Sequence, residues 1–129
     1  MSSRYVIDSY AWIEYFRGSK AGGASREYIE SGGAMTPTIV LAELSDKYRR
    51  EKIDSLDEDL FFIKSKSQIL SLDEETAILA GGLNSSMKKE VNGWGMADSI
   101  ILATTRKHKA KVVTGDEHFR KQTEAVMIE

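Results

Sequence analysis

The chain alternates short apolar runs with longer amphipathic segments, and this alternation limits its possible folds more than any other feature. Apolar runs of strand length cover residues 4–7, 34–36, 68–72, 111–114 and 125–128. Helical patterns cover residues 9–16, 24–30, 36–50, 52–64, 73–89 and 96–108. Strands that alternate with helices favour a parallel sheet with helices on both of its faces. We therefore expect an α/β fold with a central, mostly parallel sheet.

The length and composition of the chain favour a single domain. With 129 residues, 41% of them hydrophobic, it can bury one core, and no Pro-rich or low-complexity linker divides it. No apolar run approaches the roughly 18 residues of a membrane span, and no secretory signal is visible. The chain contains no cysteine, which excludes disulfides and thiolate zinc sites. We expect one domain over residues 1–129, in the cytoplasm.

Glycine and proline set the expected helix boundaries. Gly18 should end the first helix, and Gly22 and Gly23 should interrupt the chain before the second helix begins. Pro37 should lie near the first turn of the third helix, where a missing backbone N–H costs little.

Four carboxylates lie inside or at the end of apolar runs: Asp8, Glu43, Asp98 and Asp116. Charged carboxylates are almost never fully buried unless they are paired or bound to a metal. Asp8 and Asp116 follow predicted strands, Asp98 falls in the first turn of a helix, and Glu43 lies in a helix that begins beside a strand end. Ligands of open parallel sheets bind at the carboxyl ends of the strands. We therefore expect the four to reach one edge of the sheet.

Each of these acids also has a simpler explanation. Asp8 and Asp116 could be helix N-caps, and Asp98 could favour the positive end of its helix dipole. Glu43 could face solvent, because helices tolerate glutamate well. Taken together, the four are harder to explain in this way, since the other acids of the chain lie in polar surroundings.

Four carboxylates in one place would repel each other unless cations neutralise them. Oxygen ligands favour Mg²⁺ or Mn²⁺, and such ions can activate a water and hold a phosphate during phosphodiester hydrolysis. The net charge of −2 argues against a protein that coats nucleic acid, but it does not exclude an enzyme that acts on it. The pattern therefore indicates a metal-dependent hydrolase.

Three further side chains could support this site. Ser9 and Thr114 lack a histidine partner for nucleophilic catalysis, so they fit better as hydrogen-bond donors that orient carboxylates or water. His118, two residues after Asp116, could reach the site, although a position on the surface is the more frequent one for a histidine.

Four segments in order resemble the motifs of PIN-domain ribonucleases, and especially the VapC-type toxins of prokaryotic toxin–antitoxin pairs. They are VIDS at 6–9, TIVLAEL at 38–44, ADSIILAT at 97–104 and VVTGDEHF at 112–119. The resemblance implies a three-layer α/β/α fold in which Asp8, Glu43, Asp98 and Asp116 bind Mg²⁺ or Mn²⁺, supported by Ser9 and Thr114. Many relatives have an acid where this chain has His118, which puts a fifth carboxylate ligand in doubt.

The resemblance also implies partners: an RNA substrate, a small VapB-like antitoxin that packs along the helices and blocks the site, and a second copy in a homodimer. We expect a metal-dependent endoribonuclease that acts as a toxin. One alternative is a PIN-fold nuclease of RNA maturation or turnover. Another is a non-catalytic protein-interaction module or a phosphoacceptor receiver, although Asp8-Ser9 does not supply the adjacent acids that a receiver usually needs.

Overall fold

A computed structural model describes residues 3–129 of the chain, which form a five-stranded sheet surrounded by helices. The strands are Tyr5–Ile7, Ala34–Pro37, Gln68–Leu70, Lys111–Thr114 and Ala125–Met127, labelled β1 to β5. The helices are Ser9–Arg17, Lys20–Ile29, Thr38–Arg50, Leu56–Lys66, Glu74–Glu90 and Met96–Lys107, labelled α1 to α6. A short 3-10 helix, Glu117–Phe119, connects β4 to β5.

The sheet is parallel throughout, in the order β3-β2-β1-β4-β5. From β1 the chain moves first toward β3 and then returns to the other side of β1 for β4 and β5. Because crossovers between parallel strands are right-handed, connections that run in opposite directions lie on opposite faces of the sheet. The expected three-layer α/β/α fold is confirmed. The connections reverse the direction in which they move along the sheet between the neighbouring strands β1 and β4.

The central strands are buried on both faces. Val6 and Ile7 of β1 and Val112 and Val113 of β4 are fully inaccessible to solvent, which is why these strands are apolar throughout instead of alternating. None of the helices in the described part of the chain is long and apolar enough to cross a membrane.

A chain of buried and part-buried hydrogen bonds connects α1 to the sheet. The Trp12 indole N–H donates to Thr36 Oγ1 in β2 over 3.1 Å. The hydroxyls of Thr36 and Ser67 lie 2.7 Å apart, and Ser67 also donates to the Ile63 carbonyl at the end of α4. Buried polar groups are costly unless they are paired, so this network fixes how α1 and α4 pack on β2.

The expected end of α1 is confirmed, whereas the start of α2 differs from expectation. Gly18 ends α1 in a left-handed conformation, with φ of 67°. The next helix begins at Lys20, four residues earlier than expected, because the Ser19 hydroxyl caps it by accepting the Gly22 N–H over 3.0 Å. Gly22 and Gly23 therefore lie inside α2. Pro37 is the last residue of β2 and directly precedes α3.

The α3–α4 boundary also differs from expectation. The sequence predicts a helix from residue 52, whereas α4 begins at Leu56. Lys52 has a left-handed backbone with φ of 55°, and the Ile53 N–H donates to the Tyr48 carbonyl over 2.9 Å. This turn ends α3 and reverses the chain before α4 begins.

Candidate functional site

Asp8 lies where β1 ends and α1 begins, beside β4, at the point where the connections between strands reverse direction. Its Oδ1 accepts the Ala11 N–H over 2.9 Å, so it caps α1, as the simpler explanation of this residue proposed. The side chain is nevertheless almost fully buried, with 4% of its surface exposed. Burial is the main cause that raises the pKa of Asp8 to about 7; the charges of Glu43 and Asp116 act in the same direction, and the hydrogen bonds from Thr114 and Ala11 act against it. Capping alone does not explain a carboxylate in these surroundings.

Glu43 projects from the second turn of α3 toward Asp8 and α1. The Ser9 hydroxyl donates to Glu43 Oε1 over 3.2 Å. Burial raises the pKa of Glu43, and the neighbouring charges of Asp98 and Asp116 act in the same direction. The structure therefore places Glu43 in the cluster, and it does not face solvent freely.

Asp98 and Asp116 lie close to each other in the same cluster, together with His118. One donor atom from each of Asp98, Asp116 and His118 lies within 4.8 Å of the other two. Asp98, in the first turn of α6, accepts the Gly95 N–H at Oδ2 over 3.0 Å. Asp116 follows β4 and accepts the His118 N–H at Oδ1 over 2.9 Å. Both acids are thus held by backbone donors at helix starts, which orients their remaining oxygens.

The hydroxyls of Ser9 and Thr114, which the sequence suggested as supporting groups, contact residues of the acidic cluster. Thr114, the buried last residue of β4, accepts the Asp116 N–H at Oγ1 over 3.0 Å, and its hydroxyl donates to Asp8. Ser9 contacts Glu43. Thr114 therefore connects the end of β4 to Asp8, and Ser9 connects the start of α1 to Glu43.

His118 lies against the acids, although the sequence favoured a surface position for it. Its Nδ1 donates to Asp98 Oδ2 over 3.1 Å and lies 3.5 Å from Asp116 Oδ1. The short 3-10 helix after Asp116 turns the histidine back toward α6. Spacing along the sequence cannot reveal this direction, because it depends on the conformation of three residues.

Sequence reasoning missed the residues that position the start of α6. The indole N–H of Trp94 donates to Ser99 Oγ over 2.7 Å, and the Ser99 hydroxyl donates to Asn84 Oδ1 of α5 over 3.2 Å. This places Gly95, whose N–H binds Asp98. The buried Trp94 in an otherwise small, polar loop was the available signal, since an exposed loop seldom contains a tryptophan.

The residues present fit a divalent cation. Within residues 3–129, no lysine or arginine forms an ion pair with any of the four acids, although the helix surfaces contain many such pairs. Buried carboxylates without a cationic partner carry an uncompensated energetic cost. Carboxylate oxygens are ligands that suit Mg²⁺ and Mn²⁺, whose charge would relieve that cost.

Several solved structures share this architecture. A toxin–antitoxin complex from Klebsiella pneumoniae superposes with a TM-score of 0.77 at 18% identity, over 95% of this chain and 96% of the other. DNA-bound VapBC from Salmonella typhimurium gives 0.70 at 20% identity, over 98% and 97%. The sarcin-ricin loop cleaving toxin VapC20 from Mycobacterium tuberculosis gives 0.68 at 15% identity, over 97% and 89%. At these identities the likeness shows a shared fold.

Comparison at the level of sequence gives the family. No curated protein matches the chain significantly. The family model described as the PIN domain matches residues 5–125, which include all four acids and both hydroxyls of the site. The fold, the strand order and this match over nearly the whole chain agree, and the chain belongs to the PIN-domain family.

Proposed function

We propose that this protein is a metal-dependent endoribonuclease and that it is the toxin of a VapBC-type toxin–antitoxin module. The observation that carries the proposal is the almost fully buried Asp8, whose pKa rises to about 7 in a cluster of carboxylates that has no lysine or arginine partner among the described residues. Such a cluster is unfavourable by itself and becomes favourable when divalent ions bind.

Asp8, Glu43, Asp98 and Asp116 are the proposed ligands for one or two Mg²⁺ or Mn²⁺ ions. Bound ions of this kind lower the pKa of a coordinated water and stabilise negative charge on a phosphate and its leaving oxygen. The chain itself supplies the positioning. Backbone N–H groups hold Asp98 and Asp116, and the Ser9 hydroxyl holds Glu43. These contacts set the acids before a substrate arrives.

The toxin assignment is supported by the structures that share this fold. Two of them are toxin–antitoxin assemblies, and a third is a toxin that cleaves the sarcin-ricin loop. RNA is accordingly the proposed substrate, and a VapB-like antitoxin is the proposed protein partner.

A surface suited to such a partner lies beside α1 and α4. Phe61 is 76% exposed, and the partly buried rings of Tyr15, Phe16 and Phe62 pack against each other next to it. An exposed aromatic surface of this kind is typical of a site for an amphipathic protein segment. We propose that the antitoxin packs here.

Cleavage of structured RNA by the wild-type protein tests the function. We expect cleavage that requires Mg²⁺ or Mn²⁺, stops on chelation, and falls by at least about 100-fold in Asp98→Asn, since loss of a single charge-stabilising group typically costs that much. Asp46→Asn, which changes an exposed acid of α3 outside the site, is the matched control. Equal cleavage by the wild type and Asp98→Asn would refute the assignment.

A further inference from the structure

His118 brings an imidazole nitrogen into a cluster that otherwise consists of carboxylates. Its Nδ1 lies 3.1 Å from Asp98 Oδ2 and 3.5 Å from Asp116 Oδ1. Donor atoms of the three residues lie within 4.8 Å of one another. One cation can therefore contact all three side chains after small adjustments of their positions.

The imidazole is held in this orientation by its surroundings. The His118 backbone N–H donates to Asp116 Oδ1 over 2.9 Å. A β-carbon at Gly93 would lie 2.9 Å from Nε2, so the glycine allows the ring to approach the backbone here, and its left-handed φ of 83° also suits glycine. The Trp94 ring lies 6.4 Å away between centroids. Nδ1 therefore faces Asp98 and Asp116, while Nε2 faces Gly93.

The proton on the imidazole can move to allow ligation. An ionised carboxylate only accepts hydrogen bonds, so Nδ1 carries the proton while it contacts Asp98 without a metal. Ligation through Nδ1 needs only the other tautomer, in which the proton is on Nε2. The His118 side chain is part-exposed, so solvent can carry the proton from one nitrogen to the other.

We propose that His118 Nδ1 is a direct ligand of the divalent ion and makes the site select Mn²⁺ over Mg²⁺. This rests on the proposed function, because the ion is the one assigned to the four acids. Mg²⁺ strongly prefers oxygen ligands, whereas transition-metal ions accept imidazole nitrogen readily. A site with four carboxylates alone would lack this basis for discrimination.

Calorimetric titration of the metal-free protein with each ion measures the selectivity. Asparagine at position 118 can still donate to Asp98 but offers no imidazole, so His118→Asn isolates the ligand from the hydrogen bond. We expect the ratio of Mn²⁺ to Mg²⁺ affinity to fall about tenfold or more in His118→Asn. His118→Asp, which makes the site all-oxygen, should lower the same ratio while retaining Mg²⁺ binding.

Pulsed EPR of Mn²⁺ bound to the wild-type protein tests the ligand directly and does not depend on how a variant folds. We expect a nitrogen coupling that changes from ¹⁴N to ¹⁵N when histidine is labelled. The chain has one other histidine, His108, which follows α6 at the opposite end from Asp98, about 15 Å along the helix. His108→Asn should therefore leave the coupling unchanged.

The outcomes separate this proposal from the proposed function. Mn²⁺ binding that Asp98→Asn abolishes, without histidine coupling and with an unchanged affinity ratio in His118→Asn, overturns the role of His118 and leaves the metal-dependent nuclease standing. A wild-type protein that binds neither ion overturns both. Histidine coupling together with the reduced ratio in His118→Asn supports the role of His118.

Discussion

Asp8 occupies a position that is unfavourable for a charged side chain. It is almost fully buried, its nearest charged neighbours are also carboxylates, and its helix-capping bond to Ala11 offsets only part of the cost. In the unfolded chain its pKa is near 3.8, whereas in the fold it is about 7. The metal-free protein therefore binds this proton more tightly when folded, and its stability must depend on pH.

The sign of that dependence follows from the two pKa values. Below about pH 3.8, Asp8 is protonated in both the folded and the unfolded state, so it does not lower the free energy of unfolding. As pH rises from there toward 7, the free energy of unfolding falls. Since one pKa unit corresponds to about 1.4 kcal/mol, the loss from Asp8 is on the order of 4 kcal/mol. Asp8→Asn, which retains an oxygen for capping, should remove this loss. Urea denaturation in chelator from pH 4 to pH 8 measures it.

The burial of Glu43 raises its pKa as well, so some pH dependence should remain in Asp8→Asn. The informative quantity is the difference between the variant and the wild type. It should be small near pH 4 and should favour the variant near pH 8. Parallel stability curves for the two proteins would contradict the buried, raised-pKa carboxylate.

At the scale of single residues, the sequence predicted the positions of site residues better than the directions of their side chains. Asp8 and Asp116 could be placed at strand ends because their apolar runs are short and clearly bounded. The direction of His118 and the contribution of Trp94 could not be predicted, because both depend on side chains from α5, α6 and the 3-10 helix that meet only in the fold.

The packing of α1 against α2 depends on one glycine of an adjacent pair. A β-carbon at Gly22 would lie 2.0 Å from the Glu14 carbonyl oxygen, so the two helices can approach closely only because Gly22 lacks a side chain. The same atom at Gly23 would meet nothing within 4 Å. The sequence suggested a break here because glycine disfavours helices, but tertiary packing outweighs that preference.

This asymmetry predicts opposite effects of one substitution at neighbouring positions. Gly22→Ala should lower the free energy of unfolding by about 1–3 kcal/mol or more, since the backbone of α1 must move. Gly23→Ala, at an exposed helix position, should raise it by about 0.5–1 kcal/mol. Thermal and urea denaturation of both variants measure these changes. Similar effects at the two positions would show that helix propensity, and not contact with α1, decides the outcome.

Within residues 3–129, two of the exposed apolar surfaces lie on different helices. One includes Phe61, which we propose as the antitoxin surface. The other is on α5, where Ile78 is 70% exposed and Leu79 is 53% exposed. Exposed aliphatic side chains next to each other on one helix are typical of a surface that meets another protein. The homodimer implied by the family resemblance could bury them.

Light scattering across a concentration series tests whether these surfaces differ in role. We expect the wild type to be a dimer, and Ile78→Lys combined with Leu79→Lys to shift it toward monomer, because the charges would have to be buried. Phe61→Lys, a matched change on the other surface, should leave the mass unchanged. A dimer that only Phe61→Lys disrupts would assign the second copy to the α1–α4 surface.

The sequence alone determined the α/β class, the order of strands and helices, and the four carboxylates that end or interrupt apolar runs. These properties are local, because strand and helix periods and burial preferences can be read from neighbouring residues. The convergence of the acids was decided by the tertiary structure. Asp8 and Asp116 follow β1 and β4, which are far apart in sequence but adjacent in the sheet, at the point where its connections reverse direction. The turn toward His118 and the support from Trp94 were decided there too, because each results from contacts between side chains of different elements that meet only in the fold.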